Sequence, residues 1–333
     1  MDEIYAKKYE FYPYKGTRRG KLWRIWSIAW VNLVHQLNRS LLVKIWLGFI
    51  IFILILSNLM LLIGAPSMLP TGSPNEILED HLWGTIRKFV RFQVLIVTPD
   101  ESDPVFDTGY SIFMLIGLIM IGAGLISDDQ KYRISEIYDS KIDRKDYLVG
   151  KFGSLVLFGN LLFTLPCIIE WGLLIVGING VDIIRAIPVL FGTILFTEIL
   201  IIVLASFILT FSSLTETRLY SGIFAFGFFL SISKIISGII GVAESFTPLM
   251  YMDFFTVLSV LSYIIQGEKS VAYYDTTLNG VDFNLMIDLT GRAGFLILPF
   301  LAFFICFSLS ICCYQVVWKR YSPLYSLKRF VGK

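Results

Sequence analysis

Six apolar runs dominate this sequence, at residues 45–64, 110–126, 152–178, 187–211, 220–242 and 293–317. Each is near or above the roughly 20 residues that a helix needs to cross the hydrocarbon of a bilayer. Backbone polar groups at that depth find no water, so a spanning segment must satisfy them internally as a helix. A β-barrel would alternate apolar and polar positions along each strand, and these runs are apolar throughout. The bulk numbers agree: 56% of residues are hydrophobic, 16% are charged and the mean hydropathy is +0.71. Soluble chains average about 45–50% apolar and about 25% charged. The expected class is an all-α polytopic membrane protein with six transmembrane helices.

The distribution of lysine and arginine sets the expected orientation. With the N-terminus cytoplasmic, 21 of the 28 cationic residues fall in inner segments and six in outer ones, and Lys234 lies within a run. The positive-inside rule therefore puts both termini on the cytoplasmic side of the cell membrane. Residues 1–44 form a cytoplasmic N-terminal region, 45–317 the six-span domain, and 318–333 a basic cytoplasmic tail. The first apolar run is full length, so it reads as a retained span and not as the short core of a signal peptide.

Before that run, Trp23, Trp26, Trp30, Leu33, Leu37 and Leu41 recur at steps of three and four, while Arg24, Asn32, Gln36 and Arg39 fall elsewhere. Tryptophan favours the headgroup level, so an amphipathic helix lying on the inner leaflet is expected, with membrane lipid as its partner. Two outer loops are expected. Residues 65–108 are long enough to be partly folded. Residues 243–292 open with an apolar stretch whose crossing would reverse the tail, so it reads as interfacial or re-entrant. Cys167, Cys306, Cys312 and Cys313 lie in or at the end of apolar runs, without metal-ligand spacing, and read as packing residues; the vicinal Cys312 and Cys313 are also lipidation candidates.

One stretch breaks the pattern. Between Asp128 and Lys151, twelve of 24 residues are charged. Ser127-Asp128-Asp129-Gln130 fits a capping box, with the aspartates placed to complement a helix dipole. Ile134, Ile137 and Tyr138 follow at helical spacing and give a short helix an apolar stripe. Asp143 with Asp146 reads as a second N-terminus, and Ile142 with Tyr147 as its hydrophobic staple. A stiff charged knuckle over 127–146, with a stripe suited to docking, is the expectation.

The stretch GLISDDQKYRISEIYDSKIDRKDYLVGK resembles the cytoplasmic signature of type-2 ABC transporter permeases, the ABC-2 export family. The matching residues are Gly124, Leu125, Ile126, Asp128, Ser140, Ile142, Arg144, Tyr147, Leu148, Gly150 and Lys151. The likeness covers about thirty residues, and the six-span plan extends it along the chain. The sequence departs at Arg133-Ile134, where the family usually carries Gly-Thr, and at Lys141, where it usually carries proline. The resemblance implies a permease subunit whose knuckle inserts into a groove on a separate ATP-hydrolysing subunit. There Ile134, Ile137 and Tyr138 would bury, and Asp128, Asp129, Arg133, Glu136, Asp139 and Arg144 would orient the contact. It implies a second permease copy or a similar permease as partner, with ATP and magnesium bound by the ATPase chain and no cofactor in this one.

The remaining chemistry is sparse. No Gly-x-x-x-x-Gly-Lys-Ser/Thr motif occurs, so the chain has no P-loop of its own. Two histidines, no His/Cys cluster and no nucleophile–base constellation leave catalytic and metal roles without support, and a net charge of +2 gives none for nucleic acid. Glu170, Glu198 and Lys234 are ionisable residues within apolar runs, which is a functional signal by default. Glu198 and Lys234 share a depth and are candidates for an ion pair, and Glu170 lies within reach of water nearer the outer face. The two Ser/Ala/Gly spacings at 221–225 and 237–241 suit close helix contact. The competing expectations are an ion-coupled secondary transporter built on the three charges, and a structural membrane anchor.

Overall fold

The computed structural model describes residues 20–39, 41, 43–49, 51–52, 56, 73–90, 111–131, 143–229, 254–267, 270–278, 281–288 and 292–318. Their elements in order are α1 (Lys21–Arg39), α2 (Pro74–Val90), α3 (Ser111–Gly122), α4 (Gly124–Lys131), α5 (Arg144–Gly159) and α6 (Leu165–Gly177). Then come α7 (Ile183–Leu214), α8 (Arg218–Gly227), α9 (Phe254–Gln266), β1 (Ser270–Leu278), β2 (Val281–Asp288) and α10 (Arg292–Cys313). Among the described residues, four helical segments are long and apolar enough to cross a membrane: Phe113–Lys131, Arg144–Gly177, Ile183–Leu214 and Ile297–Trp318. They correspond to the second, third, fourth and sixth apolar runs. The first and fifth runs are helical at 45–49, 51–52 and 56 and at 220–229, and the rest of each lies outside the described residues.

Helix α7 is the hub, packed against α2, α4, α5, α8, α9 and α10. Small hydroxyl residues line its contact with α10. Thr210 Oγ1 donates to the Ser308 carbonyl at 2.7 Å, and Ser308 Oγ lies 3.0 Å from Ser206 Oγ. Bonds of this kind between helices in a bilayer contribute on average about 0.6 kcal/mol each, so close packing of small side chains does as much as the bonds themselves. Helices α5 and α6 form one long segment with a wide π-turn over Asn160–Thr164. The Leu165 amide reaches back five residues to the Asn160 carbonyl, just before Pro166. Proline has no N–H and its ring crowds the carbonyl four residues earlier, so the wider turn is the relief.

The expected loop over 65–108 contains α2. It opens with a reciprocal capping box: the Ser73 amide donates to Glu76 Oε2 at 2.9 Å, and the Glu76 amide to Ser73 Oγ at 3.4 Å. Pro74 stands at the first helical position, where its missing donor costs nothing. Ile77, Leu78, Leu82, Trp83 and Ile86 are buried, and α2 packs on α6, α7 and α9. Within 243–292 the apolar stretch forms α9. The antiparallel pair β1–β2 follows, with a register shift between Ala272 and Tyr274. This hairpin lies outside the all-α expectation. Its strands flank Asn279-Gly280, a dipeptide strongly preferred in two-residue hairpin loops.

Two local expectations are corrected. Ser127 does not start a helix: it lies inside α4, and its hydroxyl donates to the Ala123 carbonyl four residues back at 2.5 Å. Asp128 and Asp129 sit in the second half of α4 and are buried, so they do not complement its positive end. The apolar segment simply continues through them as helix, because neighbouring helices supply polar partners there. Asp143 does occupy the N-cap of α5, but its side chain makes no capping bond.

Candidate functional site

The described ends of the charged stretch are Asp128 to Lys131 on α4 and Asp143 onward on α5. They meet at Lys151, where α5 packs on α1. Along α5, Asp146, Tyr147, Gly150, Lys151 and Ser154 recur on one face, and all are buried. Helix α1 lies against that face. The contact is close because Gly150 has no side chain: a Cβ there would stand 2.6 Å from Ile28 Cγ2. The face of α1 that packs inward carries Ala29, Leu33 and Gln36, with Asn32 half-buried beside them. Trp23, Trp26 and Trp30 stay about half exposed on the opposite flank, with the Trp26 and Trp30 rings stacked at 6.5 Å. The apolar stripe read from the sequence is therefore divided: Leu33 turns inward and the tryptophans outward.

Under α1 sits a compact ionic cluster. Lys151 is 2% exposed. Its Nζ lies 2.8 Å from Asp129 Oδ2 and donates to Asn32 Oδ1 at 2.7 Å, and it stands 5.3 Å over the Tyr147 ring. The Tyr147 hydroxyl donates to the same Asp129 oxygen at 2.6 Å. Asn32 is oriented for its part, since its amide donates to the Ile28 carbonyl and leaves the oxygen free to accept. One step along α5, Asp146 is 1% exposed and pairs with Lys21 at 3.2 Å and Arg24 at 3.6 Å. Its position in the first turn of α5 adds the favourable dipole term. A buried ammonium is tolerated only when paired and hydrogen-bonded, and here two other segments, α1 and α4, supply the partners.

A second polar knot lies at the α3–α4 junction. Ser212 of α7 donates to the Ala123 carbonyl at 2.9 Å and accepts from the amides of Ile126 at 3.0 Å and Ser127 at 3.2 Å. Arg218 of α8 donates to the Met120 carbonyl, and Gln130 to the Ser213 carbonyl at 3.1 Å.

The sequence-derived candidates divide as follows. Asp128 and Asp129 are buried at the end of α4, and Asp129 belongs to the cluster. Arg144 is half-buried, and its guanidinium donates to the Val317 carbonyl beyond α10 at 3.4 Å. Arg133, Ile134, Glu136, Ile137, Tyr138, Asp139 and Ile142 lie outside the described residues. Glu170 does not reach water: it is 5% exposed and accepts from Thr85 of α2 at 2.7 Å. Glu198 is partly buried on α7, while Lys234 lies outside the described residues, and so does their pairing. Ser221 and Ala225 are buried within this chain, and a Cβ on the intervening Gly222 would touch Ile119 and Ala123 of the second span.

Pattern reading gives no site role to Asn32, Thr85 or Ser212, and takes Tyr147 and Lys151 only as a staple and as signature residues. A signal existed for one: Asn32, polar and set apart from the tryptophans on α1, marks a face that meets another helix. Among the described residues no group of His, Cys, Asp and Glu is arranged to hold a metal ion, and the four cysteines are free thiols, with Cys167 and Cys312 buried. A scan of protein-family models gave no match to this chain, and a search of curated proteins gave no significant match.

Proposed function

We propose that this chain is the membrane-spanning permease subunit of an ATP-driven exporter of the ABC-2 type. Two copies, or one copy with a similar permease, would combine with ATP-binding subunits and move substrate outward by alternating access. On this reading residues 127–146 face the cytoplasm and receive the partner's motion, α1 lies on the inner leaflet through its tryptophans, and ATP and magnesium are held by the partner. One observation carries the proposal. The two described ends of the charged stretch, at Asp129 and Lys151, meet in a buried ionic cluster that also fastens α1. A solvated connector has no use for such a mount, whereas a segment that receives force from another protein does. The exposed tryptophan flank and the signature residues add support.

The experiment is affinity purification of the full chain from its native membrane. An ATP-binding subunit is expected to accompany it, and Ile137→Asp or Tyr138→Asp should abolish that association while the chain remains folded. Association unaffected by both changes would overturn the docking role.

The burial of Glu170 favours a second reading, an ion-coupled carrier. That reading expects Glu170→Gln to remove proton- or cation-driven uptake in vesicles lacking nucleotide. The exporter reading expects no such uptake in the parent protein.

A further inference from the structure

The second apolar segment is interrupted at Ala123, between Gly122 and Gly124. Its freed backbone groups are satisfied largely from other helices. The Ser212 hydroxyl uses its whole capacity there: its one proton goes to the Ala123 carbonyl and its lone pairs receive the Ile126 and Ser127 amides. Arg218 holds the Met120 carbonyl from α8. In an uninterrupted α-helix the Ile126 amide would instead bond the Gly122 carbonyl, and the Gly124 amide the Met120 carbonyl, each four residues back. The Ile126 amide and the Met120 carbonyl thus have two alternative sets of partners, one on α7 and α8 and one in their own helix. Exchanging one set for the other keeps the count of bonds nearly constant, which is the condition for two states of similar free energy.

The flanking glycines let neighbouring side chains press directly against the interruption. A Cβ on Gly122 would lie 2.4 Å from Ile208 of α7 and 2.8 Å from Leu155 of α5. A Cβ on Gly124 would lie 2.9 Å from Asp128 Oδ2 and 3.2 Å from Arg218 Cδ. Both halves pack on α7 and α8, but they differ in their other holds. Helix α3 packs on α1, α2, α5, α7 and α8, while the far end of α4 is held through Asp129 to Lys151 and Tyr147.

We infer that Gly122–Ala123–Gly124 is a hinge, held in its interrupted form by Ser212 and Arg218 as a two-part clasp. Withdrawal of α7 or α8 by the length of a hydrogen bond releases the clasp, and α3 and α4 join as one straight helix. The root of the charged segment then turns relative to the outer part of its own span. The hinge is independent of the transport reading, since it concerns two states of this chain alone.

The test uses the full chain in lipid nanodiscs, with Phe113→Cys and Lys131→Cys carrying spin labels and the exposed Cys306 and Cys313 replaced by serine. Pulsed electron–electron resonance reads the separation of the two labels, which approaches about 27 Å between backbones in a straight helix. The parent is expected to give one dominant population. Ser212→Val and Arg218→Met are each expected to add a longer one, while Ser212→Thr, which keeps the hydroxyl, resembles the parent. Distributions in both Ser212→Val and Arg218→Met that superimpose on the parent's would overturn the hinge, as would a threonine variant indistinguishable from valine. Should the valine variant fail to assemble, Arg218→Met decides alone.

Discussion

Replacing Lys151 with methionine keeps the length and most of the volume of the side chain and removes its charge. The change takes away the 2.8 Å ion pair to Asp129 and the 2.7 Å bond to Asn32, and leaves the Asp129 carboxylate with the Tyr147 hydroxyl in a site that is largely closed to water. Breaking a buried pair from one side costs roughly 3–5 kcal/mol, because an uncompensated charge stays behind. Removing both charges is different: replacement of a whole buried pair by neutral groups is often near neutral. Asp129→Asn combined with Lys151→Met should therefore recover most of the loss, with a coupling of roughly 2–3 kcal/mol between the two sites. Equilibrium unfolding in mixed detergent micelles, run as a double-mutant cycle, measures this directly. Single and double effects that add to within about 0.5 kcal/mol would refute the reasoning, because the two side chains would then not be sensing each other. A companion readout is amide exchange in α1. Since Asn32 joins α1 to the cluster, Lys151→Met should speed exchange there and leave the α7–α10 seam unchanged.

Two further outcomes follow from packing. Gly150→Val places carbon atoms where Ile28 already stands, so α1 must shift from α5; overpacking of this kind costs about 1–3 kcal/mol, and protease cleavage between α1 and the first apolar run should become faster. Thr85→Val is nearly isosteric but leaves the buried Glu170 without its 2.7 Å donor, at a cost of about 1–3 kcal/mol; the loss should appear as lower thermal stability, relieved in part by adding Glu170→Gln.

Four of the expected helical spans were legible because the bilayer allows a segment only one local solution, and a run of apolar residues announces it without reference to any neighbour. The start of α5 at Asp143 and the helix at Lys21–Arg39 were legible for a related reason, since local spacing fixed them. The box at Ser127 misled because capping residues advertise a helix start only when no other helix competes for the same amides; Ser212, 85 residues further on, takes that part. The opposite holds at Ser73, where the Ser-Pro-Asn-Glu pattern is local and sufficient to start α2 inside the expected outer loop.

By itself, then, the sequence determined four long apolar helices, where charge is concentrated, and that α1 has a tryptophan flank. Only the tertiary structure decided that Lys151, Asp129, Tyr147 and Asn32 are one cluster, that Glu170 is closed off by α2, and that the second span is interrupted under Ser212. The physical reason is the range of the interactions. Hydrophobic periodicity is written within a few residues of itself, whereas a buried charge is stabilised by whichever groups the packing brings within 3 Å. Those groups come from α1, α4 and α5, whose positions along the chain carry no mark of their meeting.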